Sequence, residues 1–516
     1  MQVSDILKKS SIKFPEKEAL ITDTNQFTYA ELQEMVEQFA SALQDSGVKK
    51  GDRVGILMRN TYEAVVTYCA ILKIGAVEVA LNIIADTQSD VEYKVRDCEI
   101  STLVVSGRYL KNAMQALNRL NIVKNIFYLG EDRLFTNLKQ KCISLNEVFA
   151  TYERNTVDVS IDGTDLASIA YTSGTTGQPK GVMLTHNNMF SGAEVMSMVT
   201  PDERTMLLVP LFHTYGKAVV NSRFMRGATI VLVENIVFPM EVLKMVEISK
   251  SSSIIVVPTI LKMLLHVLKE EKKDFGFSNV KYIVSGGARL PVETLKEYWQ
   301  LYPRLGVQSG YGLTEISGKA SGIYYTGAGT SAELLESCGS VIYGHERRIV
   351  DDSGNDVPLG EVGEVIFKGS SVMKGYWNKK KETSEAIRNN WLYTGDIGRV
   401  DENNNLYLID RKKDIIKSGG ELISPKEIEI VLNTHPMVEE SAVIGVENEV
   451  LGEVLKAFIV TKDGLQVDEE DIIKHCSKQL PPIKIPISVE FLISFPKSSL
   501  DKVKKSELKR RYCNAK

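Results

Sequence analysis

The chain has 516 residues, of which 43% are apolar and 25% are charged, and its formal net charge at pH 7 is −4. This length exceeds what one hydrophobic core usually serves, so we expect a globular protein with more than one domain. The nearly balanced charge excludes an overall field that attracts nucleic acid or an acidic membrane, and any charged ligand must therefore be bound by a local site.

The six cysteines lie far apart and include no C-x-x-C pair. Their spacing argues against a zinc site and a disulfide framework and favours a reducing, cytoplasmic location. The first twenty residues have no apolar run of signal-peptide length, and the most apolar later window, SIIVVPTILKMLLHVL, is interrupted by Pro258, Lys262 and His266. We therefore predict neither export nor a membrane span.

The first predicted elements alternate between helix and strand. Residues 28–47 place apolar side chains at helical spacing, with a capping box of Thr28 and Glu31 before them and Gly47 after them. The alternation continues through RVGILM and AVVTYCAILKIGAV, and the clearest later strands are TMLLVP, TIVLV, SIIVVP and VKYIVSGGA. This order predicts an α/β fold of several layers with mostly parallel sheets, whose functional loops follow the carboxyl ends of strands.

The character of the sequence changes near residue 400. The stretch DENNNLYLIDRKKDIIKSGGELISPKEIEIVL has turn-rich, charged segments around a short apolar strand. A module of about a hundred residues is a typical size for a separate domain. We place the boundary at Asp410, which predicts a large domain over residues 1–409 and a small α+β domain over residues 410–516.

Small residues follow an apolar run that ends at Tyr171, in the loop SGTTGQPK at 173–180. Backbone N–H groups can converge on an anion where no side chain obstructs them, and hydroxyl groups and a lysine add to the attraction. The spacing lacks the G-x-x-x-x-G-K-[ST] pattern, so this is not a Walker loop. We interpret the loop as a phosphate site, and the alternative is an ordinary surface turn.

The stretch YTSGTTGQPKG resembles the signature loop of the adenylate-forming superfamily, which includes acyl-CoA synthetases, luciferases and peptide-synthetase adenylation domains. The resemblance continues in the family's order through PLFHTYG, SGGARL, QSGYGLTE, GEVGEVIFKGSSVMKGYW, YTGD and DRKKDIIKSGGELISPKEIE. It implies that a carboxylate attacks the α-phosphate of ATP to form acyl-AMP and pyrophosphate, and that a thiol then displaces AMP. The first step brings negative charges together, so it depends on Mg²⁺ and lysine.

An ATP site follows from the resemblance by matching position. The β- and γ-phosphates would be bound by Thr172, Ser173, Gly174, Thr175, Thr176 and Lys180. Glu315 would hold Mg²⁺, and Thr314 would contact the α-phosphate. The adenine would be bound by Gly286, Gly287, Ala288 and Tyr311, and the ribose by Asp396 with the help of Arg411. Gly312 would also belong to the nucleotide site. Outside their motifs, Glu315 and Asp396 would be ordinary solvated acids.

His213 resembles a residue that the family places beside the reacting acyl carboxylate. Adenylation domains that select α-amino acids usually have aspartate at this position, so histidine implies a plain carboxylic acid, fatty or aryl. Without its motif, this histidine would fit a packed or surface position. The acyl pocket would involve His213, Tyr215, Gly216 and Val220, together with the segment after Gly287.

Residues of the second half-reaction lie after residue 409. Asp410 resembles the hinge about which the small domain swings between the two steps. A loop that lines the pantetheine tunnel in acyl-CoA synthetases is matched by Ser418, Gly419, Gly420 and Glu421. For the two glycines an ordinary β-turn is the alternative.

The C-terminal stretch FPKSSLDKVKKSELKRR departs from the family's pattern. Lys502 resembles the lysine that neutralises charge during adenylation, but Asp501 stands where the family has glycine. Aspartate tolerates a positive φ better than most residues, so the turn can be kept. The Asp501 carboxylate would weaken the attraction of Lys502 for phosphate, and we predict that Asp501→Gly accelerates adenylation. The basic residues here lack interleaved aromatics, which argues against nucleic-acid binding.

Taken together, the resemblance implies an acyl-CoA synthetase that uses ATP, Mg²⁺ and coenzyme A on a fatty or aryl acid. An acyl carrier protein is an alternative acceptor, because its phosphopantetheine arm would use a similar tunnel. A luciferase-like oxygenase fits the same scaffold, and a catalytically weak adenylate-binding protein, marked by Asp501, is an alternative of another class. Acid-dependent ATP–pyrophosphate exchange separates a binding protein from a ligase.

Overall fold

A computed structural model describes residues 2–153, 159–172, 179–236, 238–288, 290–327, 329–419, 421–462, 467–497 and 503–512. The chain divides into two compact units. We call Met1–Glu346 with Phe367–Leu392 the large unit, and Arg347–Ile366 with Tyr393–Lys516 the small unit. The predicted boundary at Asp410 stays a prediction, since the contacts divide the chain at other points.

The α-helices of the described residues are α1 (Asp5–Lys13), α2 (Tyr29–Asp45), α3 (Tyr62–Lys73), α4 (Gln88–Asp97), α5 (Leu110–Arg119), α6 (Leu145–Thr151), α7 (His186–Val195), α8 (Thr214–Arg226), α9 (Pro239–Ser249), α10 (Pro258–Glu271), α11 (Val292–Leu301), α12 (Ala332–Leu335), α13 (Lys380–Ala386), α14 (Pro425–Leu432), α15 (Glu469–Ser477) and α16 (Lys505–Tyr512).

The strands are β1 (Glu18–Ile21), β2 (Gln26–Thr28), β3 (Arg53–Leu57), β4 (Val77–Ala80), β5 (Thr102–Ser106), β6 (Asn125–Leu129), β7 (Lys141–Ser144), β8 (Leu166–Thr172), β9 (Lys180–Thr185), β10 (Arg204–Leu207), β11 (Thr229–Leu232), β12 (Ser253–Val256), β13 (Tyr282–Ser285), β14 (Gly306–Tyr311), β15 (Ser321–Tyr325), β16 (Ser340–Val341), β17 (His345–Val350), β18 (Gly363–Gly369), β19 (Gly375–Tyr376), β20 (Ile387–Arg388), β21 (Trp391–Val400), β22 (Leu406–Arg411), β23 (Ile416–Ser418), β24 (Glu421–Ile423), β25 (Val438–Asn448), β26 (Gly452–Thr461) and β27 (Ser488–Phe491).

Two mostly parallel sheets form the frame of the large unit. One has the order β16-β15-β14-β13-β12-β10-β11-β1-β2, and the other has the order β19-β9-β8-β4-β3-β5-β6-β7. The strands predicted from TMLLVP, TIVLV, SIIVVP and VKYIVSGGA are β10 to β13, which pair in parallel with their neighbours. The predicted α/β class with mostly parallel sheets is confirmed.

The first predicted helix is α2, and its N-terminus has the expected cap. The Thr28 hydroxyl accepts a hydrogen bond from the Glu31 N–H, and the Glu31 carboxylate accepts one from the Thr28 N–H. Gly47 follows the end of the helix with a φ of 87°. The capping box and the glycine stop are therefore confirmed.

Each unit has its own apolar core. In the large unit, side chains of β10 to β14 pack with α9, α10 and α11, and side chains of β3 to β6 pack with α4 and α5. In the small unit, β23 to β26 pack with α14 and α15. The small unit pairs most of its strands antiparallel, as the predicted α+β class requires.

A buried ion pair connects α8 to the second sheet of the large unit. Lys217 Nζ lies 2.5 Å from Glu78 Oε2, and the two side chains are only 3% and 2% exposed. The Ser168 hydroxyl on β8 also accepts a hydrogen bond of 3.3 Å from Lys217 Nζ. Because both charges lack water, each depends on the other for its stability.

Lys217→Met is expected to lower the free energy of unfolding of the large unit by about 3 to 5 kcal/mol, because it leaves the Glu78 carboxylate buried without a counter-charge. Urea denaturation followed by circular dichroism measures the change. Adding Glu78→Gln to Lys217→Met removes the uncompensated charge and is expected to recover part of the loss. A loss of less than about 1 kcal/mol in the single variant would contradict the pair's structural role.

Candidate active site

Two neighbouring parallel strands place the predicted adenine and magnesium residues at one sheet edge. In the ladder between β13 and β14, Tyr282 pairs with Gly306 and Val284 pairs with Gln308. Gly286 to Ala288 follow the end of β13, and Tyr311 ends β14. Gly312 comes next, and Thr314 and Glu315 begin a short 3-10 turn at 314–316. The carboxyl ends of parallel strands thus bring together residues about 25 positions apart.

The backbone of this edge explains two of the residue types. Gly287 has a φ of 81°, which a residue with a side chain adopts only at a cost. Tyr311 is 7% exposed, and its ring stacks on that of Phe367 with 5.8 Å between the centroids. Glycine therefore suits the backbone at position 287, and Tyr311 packs against a second aromatic ring.

The predicted phosphate loop joins β8 to β9. Thr172 ends β8, Lys180 begins β9, and these two residues are cross-strand partners. Four other predicted phosphate ligands, Ser173, Gly174, Thr175 and Thr176, lie outside the described residues. The predicted phosphate loop therefore connects two antiparallel neighbouring strands, β8 and β9.

Tyr376 connects the end of this loop to the predicted magnesium ligand. Its hydroxyl donates a hydrogen bond of 2.9 Å to Glu315 Oε1. Lys180 Nζ lies over the Tyr376 ring, 5.1 Å from the centroid. A backbone hydrogen bond joins the same two segments, since the Met373 N–H donates to the Glu315 carbonyl at 2.8 Å. Lys180 and Glu315, separated by 135 positions in the sequence, therefore contact one side chain.

Tyr376 is not among the residues predicted from the sequence, although it stands inside the motif GEVGEVIFKGSSVMKGYW. Its position near the end of a matched motif, together with its aromatic ring and hydroxyl group, could have indicated a role in the site. We name the group of Lys180, Tyr376 and Glu315 the loop cluster.

Glu315 has the surroundings expected of a ligand for Mg²⁺ that arrives with a nucleotide. Among the described residues, no group of three or more His, Cys, Asp or Glu side chains could hold a metal by itself. Mg²⁺ is commonly bound by one or two carboxylates together with phosphate oxygens and water. The partly exposed Glu315 carboxylate supplies such a single ligand, so the donor set fits the ion.

His213 begins α8 as its N-cap residue. Burial lowers the pKa of His213 to about 4, and the neighbouring charges of Lys217 and Lys94 act in the same direction. The imidazole is therefore neutral at pH 7, and its Nε2 atom is buried with no hydrogen-bond partner in the part of the chain that the structure describes. It provides no charge of either sign at this position.

The other predicted acyl-pocket residues lie on the same helix. Gly216 is in the first turn of α8, and Val220 is fully buried. The Tyr215 hydroxyl is buried, and a Cβ placed on Gly286 would lie 3.2 Å from it. The start of α8 therefore contacts the residue that follows β13, and the predicted acyl and adenine residues are neighbours.

In the small unit, the structure brings the predicted ribose residues together. Asp396 on β21 and Arg411 on β22 are cross-strand partners, and Arg411 Nε lies 2.6 Å from Asp396 Oδ1. Asp396 is 6% exposed. Arg411 also donates a hydrogen bond of 3.3 Å to the Thr394 carbonyl, which fixes the guanidinium beside the carboxylate.

Asp410 connects the end of β22 to the start of α14. Its carboxylate accepts hydrogen bonds from the Ser424 hydroxyl at 2.9 Å and from the Lys426 N–H at 3.3 Å. Such contacts stabilise a helix N-terminus. The hinge role stays a prediction.

The predicted tunnel loop lies between β23 and β24. Ser418 is buried and pairs with Glu421, and Gly419 has a φ of 57°. Gly420 lies outside the described residues, as do Asp501 and Lys502. The described part is a tight hairpin end, which is compatible with both the tunnel interpretation and the β-turn alternative.

The structure also bears on the predicted absence of a membrane span. Within the described ranges, no helix combines the length and the apolar character that crossing a bilayer requires.

Comparison with known proteins identifies the family. Residues 7–377 match the AMP-binding enzyme family, and residues 427–502 match the AMP-binding enzyme C-terminal domain. A long-chain-fatty-acid–CoA ligase from Bacillus subtilis (strain 168) is 32% identical, and the alignment covers 98% of this chain and 94% of that protein.

Solved structures agree with the sequence match. The anthranilate CoA ligase AuaEII in complex with anthranoyl-AMP superposes with a TM-score of 0.87 at 26% identity, covering 99% of this chain and 97% of that one. The O-succinylbenzoate coenzyme A synthetase of Bacillus subtilis, in complex with ATP and magnesium ion, gives a TM-score of 0.84 at 28% identity, covering 98% of this chain and 99% of that one. Since the match spans both parts of the chain, this protein belongs to the family of AMP-binding enzymes.

Proposed function

We propose that this chain activates a fatty or aryl carboxylic acid with Mg²⁺-ATP and transfers the acyl group to the thiol of coenzyme A in the cytoplasm. Acid–CoA ligation through an acyl-AMP is the activity of its relatives, and the chain is an AMP-forming acyl-CoA synthetase. A fatty-acid ligase and an anthranilate ligase among the relatives support both acid classes. The cytoplasmic location is supported by the described cysteines, none of which is joined in a disulfide.

The loop cluster is the observation that supports the adenylation step most directly. We assign Thr172, Lys180 and the loop between them to the β- and γ-phosphates, and Thr314 to the α-phosphate. Lys180 Nζ supplies a positive charge where the loop returns to β9, and the Tyr376 hydroxyl orients the Glu315 carboxylate. Glu315 would hold Mg²⁺, which neutralises phosphate charge when it is bound.

The neutral His213 supports the proposed class of acid. An α-amino acid carries an ammonium group, which would need a fixed negative charge nearby. The pKa of His213, lowered to about 4, means that this side chain offers none at pH 7. A carboxylic acid without an α-amino group fits this position.

Residues of the small unit are assigned by their positions in the matched motifs. Asp396, oriented by Arg411, would accept hydrogen bonds from the ribose hydroxyls, which suits a carboxylate already fixed by an ion pair. Asp410 would act as the hinge, and Lys502 would neutralise charge in the adenylation step. The hairpin end at Ser418 to Glu421 would line the path of the coenzyme A thiol.

A titration of two acceptors tests the second step. Purified protein with Mg²⁺-ATP and an active acid is supplied in turn with coenzyme A and with a phosphopantetheinylated acyl carrier protein. We expect acyl-CoA to form at least ten times faster than the acyl carrier product, because the relatives are named as CoA ligases. Faster loading of the carrier protein would show that coenzyme A is not the natural acceptor.

A further inference from the structure

Several buried polar atoms near α8 and the ends of β13 and β14 have no hydrogen-bond partner among the described residues. They are His213 Nε2, Tyr215 Oη, Ser285 Oγ, Lys319 Nζ and Ser321 Oγ. Native proteins rarely leave such atoms unsatisfied, so a group of them in one region indicates a polar ligand. The loop cluster and the phosphate residues do not include Lys319 or Ser321.

Lys319 is the charged member of this group, and the sheet makes space for it. Gly310 on β14 and Gly322 on β15 are cross-strand partners, and the lysine side chain lies over the pair. A Cβ on Gly322 would lie 3.0 Å from both Cε and Nζ of Lys319, and a Cβ on Gly310 would overlap the Lys319 Cε. Because neither of these paired glycines has a side chain, the Lys319 side chain fits over them and is only 8% exposed.

Among the residues that the structure describes, no carboxylate balances the Lys319 ammonium. Burial lowers the pKa of Lys319 to about 8, and the Cys338 thiol is the group that acts in the opposite direction. The amine is thus still mostly protonated at pH 7. Other candidates for charge in this region are already balanced or neutral, since Lys217 is paired with Glu78 and His213 is uncharged. Within the described ranges, the positive charge of Lys319 therefore stays unbalanced.

The backbone next to Lys319 lies against the acyl-pocket helix. A Cβ on Gly318, next to Lys319, would lie 3.6 Å from the Ala218 Cβ on α8. The Lys319 amine lies over Gly310 and Gly322, whereas the Glu315 carboxylate accepts its hydrogen bond from the Tyr376 hydroxyl. The amine therefore has surroundings of its own, apart from those of the predicted magnesium ligand.

We propose that Lys319 binds a second carboxylate at the far end of the acid substrate, so that the preferred acids of this enzyme are dicarboxylic. This inference rests on the proposed function, because it refines the class of acid. One ammonium balances one carboxylate, whereas a phosphate dianion would need a second cation, and the described residues around Lys319 provide none.

Paired acids test the proposal in the ATP–pyrophosphate exchange assay. Hexanoate is compared with adipate, octanoate with suberate, and benzoate with terephthalate. In at least one pair we expect kcat/KM for the dicarboxylate to exceed that for the monocarboxylate at least ten-fold. Lys319→Met, which keeps the length and removes the charge, is expected to lower kcat/KM for that dicarboxylate at least ten-fold and to leave or raise the value for the monocarboxylate.

Lys262→Met, at an exposed position of α10, is the matched control and is expected to change neither value. The wild-type preference tests the proposal even where Lys319→Met does not fold. Equal use of both acids in every pair, or an equal loss of both in Lys319→Met, would overturn the role of Lys319 while exchange itself upholds the ligase. Absence of exchange with every acid would instead contradict the proposed function.

Discussion

Glu315→Gln is expected to lower the rate of acid-dependent ATP–pyrophosphate exchange by about a hundred- to a thousand-fold, which is the usual effect of removing one group that stabilises a transition-state charge. Glutamine keeps the size of the side chain, and its carbonyl oxygen still accepts the hydrogen bond from Tyr376. The variant therefore removes the negative charge of the loop cluster with little change in its packing. An uncharged ligand is expected to bind Mg²⁺ weakly.

Two measurements separate this effect from a general loss of folding. Raising the Mg²⁺ concentration is expected to recover part of the exchange in Glu315→Gln but not to change the wild type. Glu293→Gln removes a carboxylate of the large unit whose ion-pair partner is Lys296 on the same helix, and it is expected to leave exchange unchanged. Wild-type exchange in Glu315→Gln at low Mg²⁺ would rule out Glu315 as the magnesium ligand.

Lys502→Ala is expected to reduce exchange by about a hundred- to a thousand-fold, because the lysine would balance negative charge as the carboxylate attacks ATP. The second half-reaction does not build up that charge, so conversion of added acyl-AMP to acyl-CoA is expected to continue within about three-fold of the wild-type rate. A difference of this kind between the two half-reactions would not arise from unfolding.

The neighbouring lysines provide the comparison for Lys502. Lys505 Nζ lies 2.7 Å from Glu429 Oε1, so its charge is already balanced within the small unit. Lys505→Ala and Lys504→Ala are expected to keep exchange within about three-fold of wild type. Unchanged exchange in Lys502→Ala, with a loss in either neighbour, would transfer the assignment to that neighbour.

Local patterns in the sequence were sufficient to predict much of the fold. The capping box at Thr28 needs only residues within one helical turn, and the alternation of short apolar runs with periodic segments defines the parallel sheets. Matching motifs placed Asp396 and Arg411 together, and the cross-strand ladder pairs them directly. Such predictions succeed because each feature depends either on residues close together in the chain or on motifs that occur in a fixed order.

Contacts between distant segments could not be predicted in the same way. The hydrogen bond from Tyr376 to Glu315 spans 61 positions, and the pair of Lys217 with Glu78 spans 139. Lys319 gave no signal either, because its significance depends on two glycines that face it only once β14 and β15 have paired. A single sequence shows which residues have side chains that can bind a ligand or pair with a charge. Only the fold shows which of these side chains contact each other.

The division of the chain into units has a related cause. Residues 393–409 belong to the small unit because β21 and β22 form an antiparallel ladder. The change of composition near residue 400 falls inside this ladder. The predicted boundary at Asp410 marks the residue about which a hinge would act. The two compact units are instead defined by which segments pack together.

We propose above all that the loop from Thr172 to Lys180, together with Glu315, binds the phosphates of ATP so that an organic acid can be joined to AMP. ATP–pyrophosphate exchange by the purified protein, with and without a panel of fatty, aryl and dicarboxylic acids, tests it most directly. We predict exchange that requires an acid and falls at least ten-fold in Lys180→Ala. Exchange that is absent with every acid, or that proceeds equally well in Lys180→Ala, would contradict the claim.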